Sequence, residues 1–274
     1  MPRARSRPSI AVIIPAALAV ALLAVPLIAL VIRAPWGHAW ELLSAPEVRT
    51  ALRLSLVSSI SATLIVAALG IPLAWVLARH SFPGRSTIYT LTTVTMVLPP
   101  VVAGVALLLA LGRRGVVGRL LDDWFGLQLP FTMGAVIVAE AFVALPFLVL
   151  TVEGAFRSAD RDLEEAAATL GASRLTVFRR VTLPAVRPSL AAGLALAWAR
   201  ALGEFGATIT FAGNFSGRTQ TMPLAVYLAL ESNPDAAILL SLLLVAVSFG
   251  VLFALRGRWV GVLGTPMDRP GHAA

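Results

Sequence analysis

Apolar residues run through this chain in long blocks rather than in the short alternations of a soluble fold. A helix that crosses a membrane needs about 20 predominantly apolar residues. Six segments reach that length: 10–32, 54–77, 88–111, 131–152, 189–211 and 236–255. Four carry no charge; 131–152 contains Glu140, and 189–211 contains Arg200 and Glu204. The pattern predicts an all-α membrane protein of six transmembrane helices. It forms one membrane domain over 10–255, between tails at 1–9 and 256–274. The first block follows Arg3, Arg5 and Arg7 in the manner of a signal peptide. A signal's apolar core is only about 7–15 residues long, so this block reads as a retained first helix.

Composition narrows the chemistry. Hydrophobic residues make up 58% of the chain and charged residues 13%, against roughly 45–50% and 25% in soluble domains. All 22 basic residues are arginine, and the net charge is +8. Without lysine there is no P-loop ATPase motif and no Schiff-base chemistry. Without cysteine there is no disulfide, thiolate nucleophile or iron–sulfur site. His38, His80 and His272 are far apart in sequence, which argues against a histidine metal site. Membrane lipid, not nucleic acid, is the expected partner of the surface arginines.

Six spans put both termini on one side. With the termini in the cytoplasm, 14 arginines lie inside and 7 outside, with Arg200 in the membrane, which satisfies the positive-inside rule. The outer cluster Arg113, Arg114 and Arg119 runs against the trend. It either snorkels to headgroups or steers an anion or an acidic binding protein. Segments 33–53, 112–130 and 212–235 then face outward. The turn at 78–87, marked by Phe82-Pro83-Gly84, faces inward, as does the longest loop, 153–188.

That loop carries six arginines and five acids. Leu163, Ala166, Ala167 and Leu170 share one helical face. Asp160 can cap this helix, and Gly171 suits its C-terminus. Ser173 can cap a second helix bearing Val177, Phe178 and Val181, and Pro184 ends it or begins the next span. Two readings fit: an amphipathic element on the lipid surface, or a docking knob whose alanines allow a partner's close approach.

The spacing Glu165-Ala166-Ala167, three residues, Gly171, nine residues, Val181, one residue, Leu183-Pro184 resembles the EAA motif of ABC-importer permeases. Val181 stands where isoleucine is usual. The resemblance implies the type I importer-permease fold, with a cytoplasmic helix-turn-helix coupling loop that sits in a cleft of a separate ATPase subunit. The chain is then no enzyme: it binds no cofactor, and ATP and Mg belong to that partner. Two further segments, 199–224 around Arg200-Ala201-Leu202-Gly203-Glu204-Phe205-Gly206 and 96–104 around Leu98-Pro99-Pro100, are similar to oxyanion importers. They are closest to molybdate permeases, with sulfate permeases next. The family implies a homodimer in a prokaryotic cytoplasmic membrane, an ATPase dimer inside and a molybdate-binding protein outside. It also implies passage of molybdate, and tungstate with it, by alternating access.

The intramembrane polar residues have two readings each. Arg200 and Glu204 are four apart and share a helix face. They either neutralise each other, with Glu140 as a further partner, or line a path or gate. Pro99 and Pro100 give either a packing kink or a broken helix on the path, with Thr92, Thr93 and Thr95 re-satisfying the freed backbone. Gly104 lies just beyond them. Thr208, Thr210, Asn214, Ser216, Thr219 and Thr221 form either an ordinary loop or hydroxyl and amide contacts for a passing oxyanion. Two rival classes are an ion-coupled secondary transporter using Glu140, Arg200 and Glu204, and a membrane enzyme with Glu140 and Glu204 as acid and base. The first would not need the coupling loop, and the second lacks a nearby histidine partner.

Overall fold

A computed structural model describes residues 9–263, with side chains through 253. Arg3, Arg5, Arg7 and the tail 266–274 lie outside the described residues, and the side chains of Arg256 and Arg258 outside the described side chains. Among the described residues the chain is helical and has no strand. Helix α1 spans Ile10–Arg33, and a short helix α2 spans Ala39–Leu43. Helix α3 runs Pro46–Arg79, beginning eight residues before the apolar block at Leu54. The third block is two helices, α4 at Arg85–Val97 and α5 at Pro100–Leu111. Helix α6 (Gly118–Phe125) occupies the following loop, and α7 spans Met133–Ser158. The charged loop holds α8 (Arg161–Thr169) and α9 (Arg174–Val177). The fifth block is again split, into α10 (Leu183–Leu202) and α11 (Gly206–Ala212). Helix α12 covers Met222–Ser232, and α13 runs Pro234–Leu263, past the expected end of the sixth span at Leu255.

Helix α7 is the centre of the bundle. It packs against α3, α10, α11, α4 and α5, and over half of its apolar stretch is buried. In lipid there is no hydrophobic drive between helices, so close packing of small residues does the work. Gly70 of α3 and Gly193 of α10 supply it. A Cβ on either would approach α7 side chains to 3.1–3.4 Å, with Leu148 among them in both cases. Helix α1 is the opposite case. It buries no residue and touches the bundle mainly at α13.

The turn between α3 and α4 forms as its sequence predicts. Gly84 takes φ +90°, and Arg85 N–H donates to the Phe82 carbonyl at 3.2 Å. Arg85 also donates to the Leu77 carbonyl at 2.8 Å. At this end of the bundle the buried Glu153 of α7 pairs with Arg157 and lies 4.0 Å from Arg85. Pro72 and Pro146 leave their helices unbroken.

Segment 212–235 is not the simple outward loop that hydropathy suggests. Its helix α12 is too short to cross a membrane, yet it buries Met222 and Leu224 and packs against α3 and α13. The Met222 N–H donates to Ser55 Oγ at 2.7 Å, which ties α12 to α3.

Candidate functional site

Two places gather the residues that the sequence singles out. The first is where the third and fifth spans break. Leu98 and Pro99 each precede a proline, which drives both into extended backbone (ψ 129° and 133°). The helix is therefore interrupted, not kinked. Thr92, Thr93 and Thr95 donate to the carbonyls of Ile88, Tyr89 and Thr92, so they do not serve the carbonyls of Thr95 and Met96 that the prolines leave free. The fifth span breaks at Gly203–Phe205. Arg200 and Glu204 pair at 2.6 Å, as their spacing predicts, but Glu204 lies beyond the end of α10. Its second oxygen accepts from the Ala207 N–H at 2.7 Å, so the carboxylate satisfies a donor of the first turn of α11.

The two breaks lock together. A Cβ on Gly206 would stand 2.7 Å from Cβ of Pro100; one on Gly104 would stand 2.6 Å from Cβ of Thr210 and 2.9 Å from the Ala207 carbonyl. Helices α5 and α11 thus start side by side with their backbones almost touching. Thr210 donates to the Gly206 carbonyl at 2.8 Å within this contact. Pro99, Pro100 and Gly203 are exposed, and Arg200 is 26% exposed, while Glu204 is 1% exposed.

The other intramembrane residues scatter. Glu140 is buried and accepts from Ser58 Oγ at 2.8 Å; it makes no ion pair with Arg200. Thr208, Thr219 and Thr221 are buried within the chain, so none lies on its surface. Thr219 accepts from the Phe215 N–H at 3.1 Å. Thr208 Oγ1, Thr221 Oγ1 and Asn214 Oδ1 are buried without a hydrogen-bond partner. Ser216 is exposed. Hydropathy gave no sign of the exposed hydroxyls Ser86, Thr87 and Thr90 of α4, which line a concavity of about 360 Å³ with Leu91 and Val94. Their signal was the i, i+1, i+4 spacing across the boundary between the turn 78–87 and the span that follows.

The second place is the α8–α9 hairpin. Asp160 caps α8 by accepting from the Asp162 N–H at 2.9 Å. Gly171 takes φ +85°, its N–H donates to the Ala168 carbonyl, and the Ala172 N–H donates to the Ala167 carbonyl. This pair of bonds is a Schellman cap, which needs a residue free to enter the left-handed region. Nothing lies within 4 Å of where a Gly171 Cβ would point. Ser173 caps α9 by accepting from the Thr176 N–H.

Pro184 was expected to end that helix or to begin the next. It stands in the first turn of α10, as the second expectation had it, and α9 runs on into α10 without a gap, from Arg174 to Leu202, by way of a π turn at Phe178–Thr182. The Leu183 N–H reaches back to the Phe178 carbonyl, widening the ladder just where Pro184 lacks its own donor.

The apolar face of α8 is free. Leu163 is 58% and Leu170 89% exposed, and α8 buries no residue. Glu165 and Ala166 are exposed; Ala167, Val181, Leu183 and Pro184 are partly covered. What holds α8 in place is Glu164, whose Oε1 accepts from Arg79 Nη2 at 2.6 Å and from Thr182 Oγ1 at 2.8 Å. Contacts so distant in sequence leave no local pattern. Arg113 and Arg119, both exposed, form surface pairs with Asp122 and Asp123. Among the described residues no cluster of His, Asp or Glu could hold a metal ion.

Known proteins resemble this chain over most of its length. Residues 70–262 match the family described as binding-protein-dependent transport system inner membrane component. A molybdenum transport system permease protein of Mycobacterium tuberculosis is 46% identical over 90% of this chain and 93% of its own length. A sulfate transport system permease protein of Salmonella typhimurium is 36% identical over 85% of this chain and 86% of its own. Among solved structures, a chain of a bacterial ABC transporter involved in the import of alginate superposes with a TM-score of 0.73. It covers 92% of this chain and 94% of its own at 18% identity, a likeness of fold. The family match over residues 70–262 and the 46% identity to a permease of this kind make the chain a multi-pass inner-membrane component of the binding-protein-dependent transport family.

Proposed function

We propose that this chain is the permease subunit of an ATP-driven importer that carries molybdate, and tungstate with it, across the cytoplasmic membrane. The observation that carries the substrate is the 46% identity to a molybdenum permease over nine-tenths of the chain, against 36% to a sulfate permease. Two copies form the path, both termini face the cytoplasm, and a binding protein delivers the oxyanion outside. A separate ATPase dimer, which holds ATP and Mg, docks on the exposed face of α8 at Leu163, Ala166 and Leu170, with the Gly171 turn beside them.

The geometry supports alternating access. Movement of α8 reaches the membrane through the unbroken helix Arg174–Leu202, a strut of about 40 Å at 1.5 Å per residue. The strut ends at the Gly203–Phe205 break, where α11 is locked to α5. Pulling on α10 therefore moves both outer half-helices together. Pro99, Pro100, Gly203 and the α4 hydroxyls line the path in this scheme. Gly104, Glu204, Thr208 and Thr210 hold the half-helices that shape it, and Asn214 closes their outer end. Arg200, neutralised by Glu204, presents a weak positive field that lets an anion pass without trapping it.

ATP-driven uptake of labelled molybdate into proteoliposomes, with the ATPase and binding protein present and sulfate as competitor, tests this reading. Uptake that needs ATP and resists excess sulfate is expected. Suppression by sulfate would move the substrate to sulfate. Uptake that ignores ATP but follows a proton gradient would overturn the ATPase docking as well.

A further inference from the structure

Helix α8 has two faces, and the proposed ATPase contact uses only one. Its other face, at Arg161, Glu164, Glu165 and Ala168, closes a groove of about 870 Å³ against the end of α3 and the start of α9. The groove is polar at one end and apolar at the other. Ile71, Pro72 and Trp75 of α3, with Phe178, form the apolar end; the Trp75 ring meets Phe178 and His80 edge to face. Arg79, Arg161 and Arg174 form the charged end. Eight residues of helix separate Ile71 from Arg79, a depth of about 12 Å. The apolar end thus falls within the apolar block 54–77, and the charged end lies beyond it.

The charged end is short of acceptors. Arg161 and Arg174 are exposed and make no ion pair among the described residues. The Arg79 side chain is 8% exposed; its Nη2 meets Glu164, while its Nε and Nη1 are buried without partners. Unpaired buried donors are costly, and basic pockets at the cytoplasmic ends of membrane helices suit anionic headgroups. Glu165 at the rim is the one acid not already engaged there.

We propose that this groove is a binding site for an anionic phospholipid of the inner leaflet. The phosphate sits among Arg79, Arg161 and Arg174, and the upper acyl carbons lie on Ile71, Pro72 and Trp75. The lipid joins α8 to α3 beside the Glu164 latch, so it stiffens the element that receives the ATPase. This inference rests on the membrane orientation proposed above and not on the identity of the substrate.

The test uses the full chain with its ATPase subunit, in nanodiscs of phosphatidylglycerol or of phosphatidylcholine, and native mass spectrometry of the lipid retained on release. Phosphatidylglycerol is expected to stay bound, phosphatidylcholine not. The double variant Arg161→Gln/Arg174→Gln should weaken retention about tenfold with unchanged thermal unfolding. In phosphatidylcholine alone, ATPase activity should lose its dependence on binding protein. Equal retention of the two lipids, or equal retention by wild type and double variant, would overturn the site. So would displacement of the lipid by excess inorganic phosphate, which marks a free-anion site, or retention only when the ATPase subunit is left out, which marks a protein interface. Molybdate uptake is measured separately, so neither reading falls with the other.

Discussion

The α5–α11 contact and the α8 hairpin both depend on glycine, for opposite reasons. At Gly104 and Gly206 the backbone is ordinary and the space is missing, since a Cβ would collide with Thr210 or Pro100. At Gly171 the space is open and the backbone, at φ +85°, sets the demand. The first region is packed, charged and closed; the second is exposed and held by one carboxylate, Glu164. In the proposed scheme the crowded joint transmits movement, and the open hairpin receives it. Substitutions in the first should damage folding and transport together, while those in the second should remove transport and leave the fold.

The largest effect on stability is expected from Arg200→Ala. It strips the cation from a carboxylate that is 1% exposed, and breaking a buried pair costs about 3–5 kcal/mol. Lower yield in the membrane and a lower melting temperature in detergent check this; wild-type values would show that Glu204 needs only its α11 contact. Next is Gly104→Ala, where overpacking against Thr210 should cost about 1–3 kcal/mol. Uptake should fall with it. A tolerated alanine would mean that the two half-helices slide apart freely, and the comparison would collapse. Gly171→Asp should cost only about 1 kcal/mol for the left-handed turn. Uptake should nevertheless be abolished, because the new side chain projects toward the face proposed to dock the ATPase. Normal uptake at normal expression would end the coupling role of α8. The smallest effect belongs to Asp123→Ala, which removes an exposed pair with Arg119 at 3.5 Å and should change stability by under about 0.5 kcal/mol.

Spans and caps were legible because they are local. Block lengths located the five helices long and apolar enough to cross a membrane, while the third block, expected as one span, is two short helices; Asp160, Gly171 and Ser173 announced the hairpin. The Pro99-Pro100 pair announced a disturbance and understated it, since each proline restricts the residue before it. The second break was hidden. Arg200 and Glu204 read as one helical turn, and they do pair, but Gly206 against Pro100 decides where α10 stops, across about a hundred residues. Helix α12 escaped notice because 11 residues are too few for a span. The apolar face of α8 was found correctly, yet apolarity could not say whether it is buried. It stays free because Glu164, on the other side, is what binds the hairpin to Arg79 and Thr182.

The central position of α7 also sets an order of assembly. It is the fourth span to leave the ribosome, and α3, α4 and α5 are made before the helix they pack on exists. These three must wait in the bilayer as independent inserted segments, which is why 54–77 and 88–111 carry no charge of their own. The charged side chains arrive later: Glu140 comes with α7 and meets the waiting Ser58, and Arg200 and Glu204 arrive together as a neutral pair. The charges inside the apolar blocks are thus synthesised only once a partner is already in the membrane or beside them in the chain, whereas Arg79, at the end of α3, waits for Glu164.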